Sequence, residues 1–163
     1  DVDVERNKQG GARFIVKIPM QNLNAKKTEP VFRQESKDTG DLLKSLNLLV
    51  VEDDPIIRMV SKNLLGKLVK QVDVAENGHI GYEKAINNKY DLILSDFFMP
   101  VLDGRQMIQK LRSEGLKVPI VAVTAAVMGQ ESEALLDAGA NKVIAKPISM
   151  NTFLEVVEQC VSR

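Results

Sequence analysis

The sequence predicts a doubly wound α/β sandwich on a parallel sheet of five strands. Three observations predict it. From residue 46 onward, short apolar runs recur at Leu48–Val51, Val72–Ala75, Leu92–Leu94, Pro119–Val123 and Val143–Ala145. Segments with apolar residues at helical spacing separate the runs, the alternation that βαβ units produce. Within the longer runs successive residues are apolar, as in strands covered on both faces. Right-handed crossovers then put helices on both sides of the sheet.

The elements follow in chain order. In residues 10–19, Gly-Gly-Ala-Arg-Phe-Ile-Val-Lys-Ile-Pro, Phe14, Val16 and Ile18 share one face of a strand, opposite Arg13 and Lys17. Pro19 ends that strand, which has no sheet to join. Residues 21–45 are polar, mixed in charge and without sustained periodicity, the composition of a linker. After Leu48–Val51 come Glu52, Asp53 and Asp54, and Pro55 suits the first turn of a helix. Ile57, Val60, Leu64 and Leu68 continue that helix at its own period. Asn77-Gly78 is a turn, and Ile80–Ile86 a second helix. The central run ends in Asp96 and breaks at Pro100 and Gly104, ahead of a helix with Met107, Ile108 and Leu111 inward. The fourth strand ends at Thr124, Glu131–Ala138 is a helix closed by Gly139, and the fifth strand ends at Lys146-Pro147. The last helix follows Ser149, with Phe153, Leu154, Val157, Cys160 and Val161 on its apolar side.

Composition narrows the function classes. The 163 residues suit one ordinary domain with some extra length. Lys plus Arg and Asp plus Glu both count 22, so no excess charge favours nucleic acid or an anionic membrane. No apolar stretch approaches the ~20 residues of a membrane span. One cysteine, Cys160, excludes an internal disulfide and fits a reducing, cytoplasmic setting. With a single histidine, His79, a protein-only zinc site is excluded too. Both residues read as packing or surface positions. Beginning at Asp1 without methionine, the sequence reads as a piece of a longer chain.

The remaining polar residues fall where strands end: Glu52 and Asp53, Asp96, Thr124, Lys146. In a parallel sheet those ends share one edge, where ligands bind. Taken singly, Asp96 fits a strand-ending turn equally well. As a set, three crowded carboxylates repel one another, and a hard divalent cation relieves that repulsion. Mg²⁺ takes oxygen ligands, commonly one or two carboxylates with water or phosphate. A neighbouring lysine supplies a point charge for a phosphoryl group, and a hydroxyl one hydrogen bond.

The ordered pieces Val-Val-Glu-Asp-Asp-Pro, Asp-Leu-Ile-Leu-Ser-Asp-Phe-Phe-Met-Pro-Val-Leu-Asp-Gly, Val-Ala-Val-Thr-Ala and Ala-Lys-Pro closely resemble the receiver domain of two-component response regulators. The resemblance runs from Leu46 to Val161 and implies a flavodoxin-like (βα)5 fold of strand order 2-1-3-4-5. It implies that Asp96 is the phosphoacceptor, charged from a phosphohistidine. Asp53 would bind Mg²⁺ directly and Glu52 through water, with the backbone carbonyl of Phe98 a further ligand; Mn²⁺ could replace Mg²⁺. Thr124 and Lys146 would grip the phosphoryl oxygens, across a cis Lys146–Pro147 bond. Arg58, six residues after Glu52, sets this register and leaves Asp54 a bystander at the helix start. Receivers of this kind switch by moving the threonine toward the new phosphate, which rearranges the face of helix four, strand five and helix five.

Three positions depart from the family pattern. Val143 stands where many receivers have an aromatic residue, so an aromatic readout is not available. Phe98 and Ala126 occupy positions that often hold water through polar side chains, which predicts slow loss of phosphate. The strand over residues 10–19 resembles the last strand of a sensor-kinase ATP-binding domain, a match of roughly ten residues. The expected organisation is thus that remnant over 1–20, a linker over 21–45 and a receiver over 46–163 with no output domain after it. This fits the C-terminal receiver of a hybrid sensor histidine kinase, exchanging phosphate with the kinase and with a histidine phosphotransfer protein. The kinase region itself lies outside the chain, so ATP hydrolysis is not expected. Two alternatives stand: a response regulator acting by partner binding alone, and a haloacid dehalogenase-type phosphatase. The second wants another acid two residues after its nucleophile, where this chain has Phe98.

Overall fold

The five apolar runs become one parallel sheet in a computed structural model describing residues 2–6, 12–16, 37–125, 127 and 129–161. The chain divides into two units, Asp1–Gln34 and Glu35–Arg163. In the first, β1 (Val2–Arg6) and β2 (Ala12–Val16) pair antiparallel, with Val2 opposite Val16 and Arg6 opposite Ala12. The strand expected alone over residues 10–19 therefore has a partner. Its expected stop at Pro19 lies outside the described residues.

The second unit opens with α1 (Lys37–Ser45), inside the stretch expected to be linker. Leu43 and Leu46 explain the difference: they are 4% and 2% exposed and join the core beneath the sheet. Two buried leucines anchor a segment whose other residues are too polar to announce a helix. A helix thus occupies residues 37–45 of the stretch read as linker. Leu43→Ala should lower stability by roughly 2–5 kcal/mol, the usual cost of emptying a buried leucine site. A urea midpoint unchanged from wild type would show that α1 does not dock.

The other elements are β3 (Asn47–Val51), α2 (Pro55–Leu65), β4 (Gln71–Ala75), α3 (Gly78–Asn87), β5 (Leu92–Asp96), α4 (Gly104–Ser113), β6 (Ile120–Thr124), α5 (Gln130–Asp137), β7 (Lys142–Ala145) and α6 (Met150–Cys160). The sheet runs β4-β3-β5-β6-β7, which is the order 2-1-3-4-5 counted within this unit. Alternate strand residues feed two cores. Leu48, Val50, Leu92, Leu94, Val121 and Val123 pack with α1, α2 and α6 residues such as Leu43, Leu65 and Phe153. Leu49, Val51, Ile93 and Ala122 pack on the other face with Met107, Ile108 and Leu135. Both faces are covered, so the strands need no polar alternation.

Side-chain caps start α2, α3, α4 and α6 close to the strand ends. Asp54 accepts from the amides of Ile56 (2.8 Å) and Ile57 (2.9 Å). Asn77 accepts from Ile80, Asp103 forms a capping box with Gln106, and Ser149 accepts from Thr152. Each cap satisfies an otherwise orphan N–H and fixes the loop that precedes it. In α2 the residues at helical spacing, Ile57, Val60 and Leu64, are 43%, 45% and 53% exposed, and Leu65 is buried. No helix among the described residues is long and apolar enough to cross a membrane.

Candidate functional site

Sheet register fixes which loops meet. Val51 lies beside Ala75 and Ser95, Asp96 beside Val123, and Thr124 beside Ala145, so the strands finish almost level. Glu52 and Asp53 leave β3, Asp96 ends β5, Thr124 ends β6 and Lys146 follows β7. All five predicted side-chain positions therefore stand along one edge.

The contacts are close. The Lys146 ammonium donates to Glu52 Oε2 at 2.8 Å and to Asp96 Oδ2 at 2.7 Å. The Phe97 amide donates to Asp96 Oδ1 at 2.7 Å, so both oxygens of that carboxylate are held. One carboxylate oxygen each from Glu52, Asp53 and Asp96 lies within 4.8 Å of the others. Glu52 and Asp96 are buried, Asp53 is exposed, and Thr124 is 1% exposed. Lys146–Pro147 is the cis bond the resemblance implied.

Burial and crowding set the electrostatics. Burial raises the Glu52 carboxyl above its ordinary value, the Asp96 charge adds to the rise, and Lys146 opposes both. Burial alone would lower the Lys146 ammonium, but its bonds to Asp96 and Glu52 outweigh that and raise it. The lysine is thus fully charged at neutral pH. A hard-oxygen donor set of three carboxylates suits Mg²⁺ by ligand type, and the proximity of their oxygens suits a single ion.

Arg58, used in the sequence only to set register, braces the acidic loop. Its guanidinium donates to the carbonyls of Glu52 (2.7 Å) and Asp53 (2.9 Å). The only signal in the sequence is its distance of six residues from Glu52. The loop after β5 is tightly built as well. The Gly104 amide donates to the Phe97 carbonyl at 2.9 Å, and Val101 sits at φ 71°, a left-handed conformation that a β-branched residue resists. The Phe98 side chain is 60% exposed, its ring centroid 4.4 Å from that of Phe97. Val143 is half-buried. Ala126 lies outside the described residues. Cys160 is half-buried against the core, and burial raises its thiol.

A family model described as response regulator receiver domain matches residues 48–158. The chain belongs to that family. The receiver is similar to part of the sensor histidine kinase RcsC of Salmonella typhimurium, 32% identical over 119 residues, covering 73% of this chain and 13% of that protein. The autoinducer 2 sensor kinase/phosphatase LuxQ of Vibrio parahaemolyticus is 33% identical over 156 residues, covering 95% of this chain and 18% of that protein. The chain therefore spans less than a fifth of these relatives' length, and the LuxQ match takes in most of the stretch ahead of the receiver model. Among solved structures, the receiver domain of sensor histidine kinase PA1611 from Pseudomonas aeruginosa aligns at TM-score 0.67 with 30% identity, covering 73% of this chain and 99% of that one. That structure has a magnesium ion coordinated in its active site cleft. The Francisella response regulator 1452 receiver domain aligns at TM-score 0.68 with 25% identity, over 73% of this chain and 98% of that one.

Proposed function

We propose that this receiver accepts a phosphoryl group from a phosphohistidine onto Asp96 and passes it to, or takes it back from, a histidine phosphotransfer protein. One observation carries the reading: oxygens of Glu52, Asp53 and Asp96 gather within 4.8 Å, with the Lys146 ammonium 2.7 Å from Asp96. A bland fold has no use for three like charges at one point. In this reading Asp53, Asp96 and the Phe98 carbonyl hold Mg²⁺ directly and Glu52 holds it through water. Mn²⁺, equally suited to oxygen ligands, is expected to substitute.

In the transfer, an Asp96 carboxylate oxygen forms the new P–O bond as the N–P bond of the donor histidine breaks; the electron pair stays on the imidazole nitrogen. Such transfers need alignment and charge neutralisation more than covalent help. When bound, Mg²⁺ supplies part of that neutralisation at the phosphoryl oxygens. Lys146 supplies the rest, exchanging an Asp96 oxygen for a phosphoryl oxygen, and the Thr124 hydroxyl donates to another. Exposed apolar residues around the loops, Ile56, Met59, Phe98, Val101 and Met150, suit contact with a partner helix bearing the histidine. The similarity to RcsC and LuxQ supports placing the receiver in a hybrid sensor kinase, with residues 1–20 the end of its ATP-binding domain and the whole on the cytoplasmic side.

Incubation with Mg²⁺ and acetyl phosphate tests the reading. Stable, stoichiometric label on Asp96 supports it; continuous release of inorganic phosphate supports a phosphatase instead. Glu52→Gln separates metal from fold. A carboxyl raised by burial favours folding below its unfolded value, and that contribution disappears as pH rises through the folded value, so at neutral pH its charge works against the fold. The amide variant should be at least as stable without metal, yet bind Mg²⁺ roughly 10–100-fold more weakly, as loss of a water-bridging partner does. Equal Mg²⁺ affinity in calorimetry would remove Glu52 from the site. Phe98→Asn should shorten the half-life of the label several-fold by giving water a polar partner near Asp96. An unchanged half-life would show that Phe98 does not govern hydrolysis.

A further inference from the structure

The three strand-end carboxylates are held by different means. Glu52 and Asp96 are buried, and each accepts from the Lys146 ammonium. Asp53 is exposed, so packing does not fix it. Its neighbours along the chain are anchored. The Glu52 amide donates to the Ala75 carbonyl at 3.0 Å, extending the sheet, and the Asp54 carboxylate caps α2. Asp53 lies between these anchors, past the strand and ahead of the helix.

Arg58 closes that gap. Its Nη1 donates to the Glu52 carbonyl at 2.7 Å and to the Asp53 carbonyl at 2.9 Å. The first carbonyl belongs to the peptide plane before Asp53, the second to the plane after it. Because peptides are planar, holding both restrains φ and ψ of Asp53 and leaves chiefly its side-chain torsions free. The guanidinium is itself well placed: the Arg58 amide donates to the Asp54 carbonyl at 2.9 Å, and the side chain is only 19% exposed. Its Nη2 lies 3.9 Å from the exposed Glu76 carboxylate, an ion pair of the kind that contributes little.

We infer, on the reading of Asp53 as a Mg²⁺ ligand, that Arg58 is a positioning residue for the metal. By holding both peptides that flank Asp53, it sets the one exposed carboxylate in place before the ion binds. Simple electrostatics predicts the opposite effect. A cation beside the acidic loop repels Mg²⁺, so on charge alone removing Arg58 should tighten binding. Positioning predicts weaker binding, because an unrestrained Asp53 must be ordered when the ion binds.

The test uses the whole chain and Mg²⁺ alone. Arg58→Ala should weaken Mg²⁺ roughly 10–100-fold in calorimetry, the usual effect of losing a group that orients a metal ligand. Arg58→Lys keeps the charge, so electrostatics predicts no change there. Lacking the planar fork, it should still bind Mg²⁺ several-fold more weakly, and it serves as the readout if the alanine variant misfolds. Glu76→Gln removes the ion pair and spares the carbonyl bonds, so its affinity should stay within about twofold of wild type. In metal-free Arg58→Ala, loss of the charged donor should move the carbonyl carbon resonances of Glu52 and Asp53 upfield. An arginine that merely stabilised the fold would lower the urea midpoint and leave metal affinity alone. Equal or tighter Mg²⁺ binding by Arg58→Ala overturns the inference, as do unmoved carbonyl resonances or an equal loss in Glu76→Gln. A wild-type chain that binds no Mg²⁺ strikes the metal reading first and this inference with it, an outcome distinct from wild-type binding that the variants leave unchanged.

Discussion

Asp96→Asn is expected to give no acetyl phosphate label under conditions where the wild-type chain is labelled stoichiometrically. The amide lacks the ionised oxygen that forms the P–O bond, and no nearby group replaces it in line with Lys146 and Thr124. The fold should survive. Lys146 keeps its 2.8 Å bond to Glu52, so the ammonium is not stranded when the aspartate charge goes. The substitution should also change Glu52. Burial is the leading cause of its raised pKa, and the Asp96 charge also raises it. Without that charge, Glu52 should give up its proton at lower pH, measurable by carboxyl NMR titration of both proteins. Label surviving in the variant at comparable yield would move the acceptor elsewhere, with Asp53 and Asp54 the first positions to map.

How much of this was legible in the sequence depended on how local the cause was. Strands such as Leu48–Val51 and Leu92–Leu94 announce themselves because burial on both faces demands consecutive apolar residues. Glu52, Asp53, Asp96, Thr124 and Lys146 were visible for the complementary reason: each ends an apolar run, and parallel pairing sends all such ends to one edge. The helix α1 was not visible, since Leu42, Leu43 and Leu46 stand in a polar neighbourhood and their burial depends on a distant sheet. Nor was β1, whose Val2 and Val4 offer only two apolar positions. The spacing of Ile57, Val60 and Leu64 identified a helix correctly, but periodicity reports a face and not what covers it. The grip of Arg58 on the carbonyls of Glu52 and Asp53 depends on backbone geometry no residue pattern encodes.

Gly104 is the position where the smallest change should do the most harm. A Cβ there would lie 2.2 Å from the carbonyl oxygen of Asp96 and 3.1 Å from Phe97 Cα. Both obstacles are backbone, so no side chain can swing away; the loop carrying the acceptor must move. The same glycine donates to the Phe97 carbonyl at 2.9 Å, the bond that closes that loop. Gly104→Ala should therefore displace Asp96 and the Phe98 carbonyl together, separating them from Asp53 and Lys146. Overpacking of this kind costs roughly 1–3 kcal/mol or more. A misplacement of about 1 Å in a reacting group can cost roughly 100-fold in rate, and the labelling rate should fall by that order. Gly115→Ala provides the control. Gly115 sits at φ 80° in open space, with nothing within 4 Å of the point a Cβ would occupy. Alanine there should cost about 1–2 kcal/mol in backbone strain and leave labelling intact. If Gly104→Ala folds and labels at the wild-type rate, the close approach of α4 to the acceptor strand does not position Asp96. If Gly115→Ala loses label to the same extent, general destabilisation accounts for the effect.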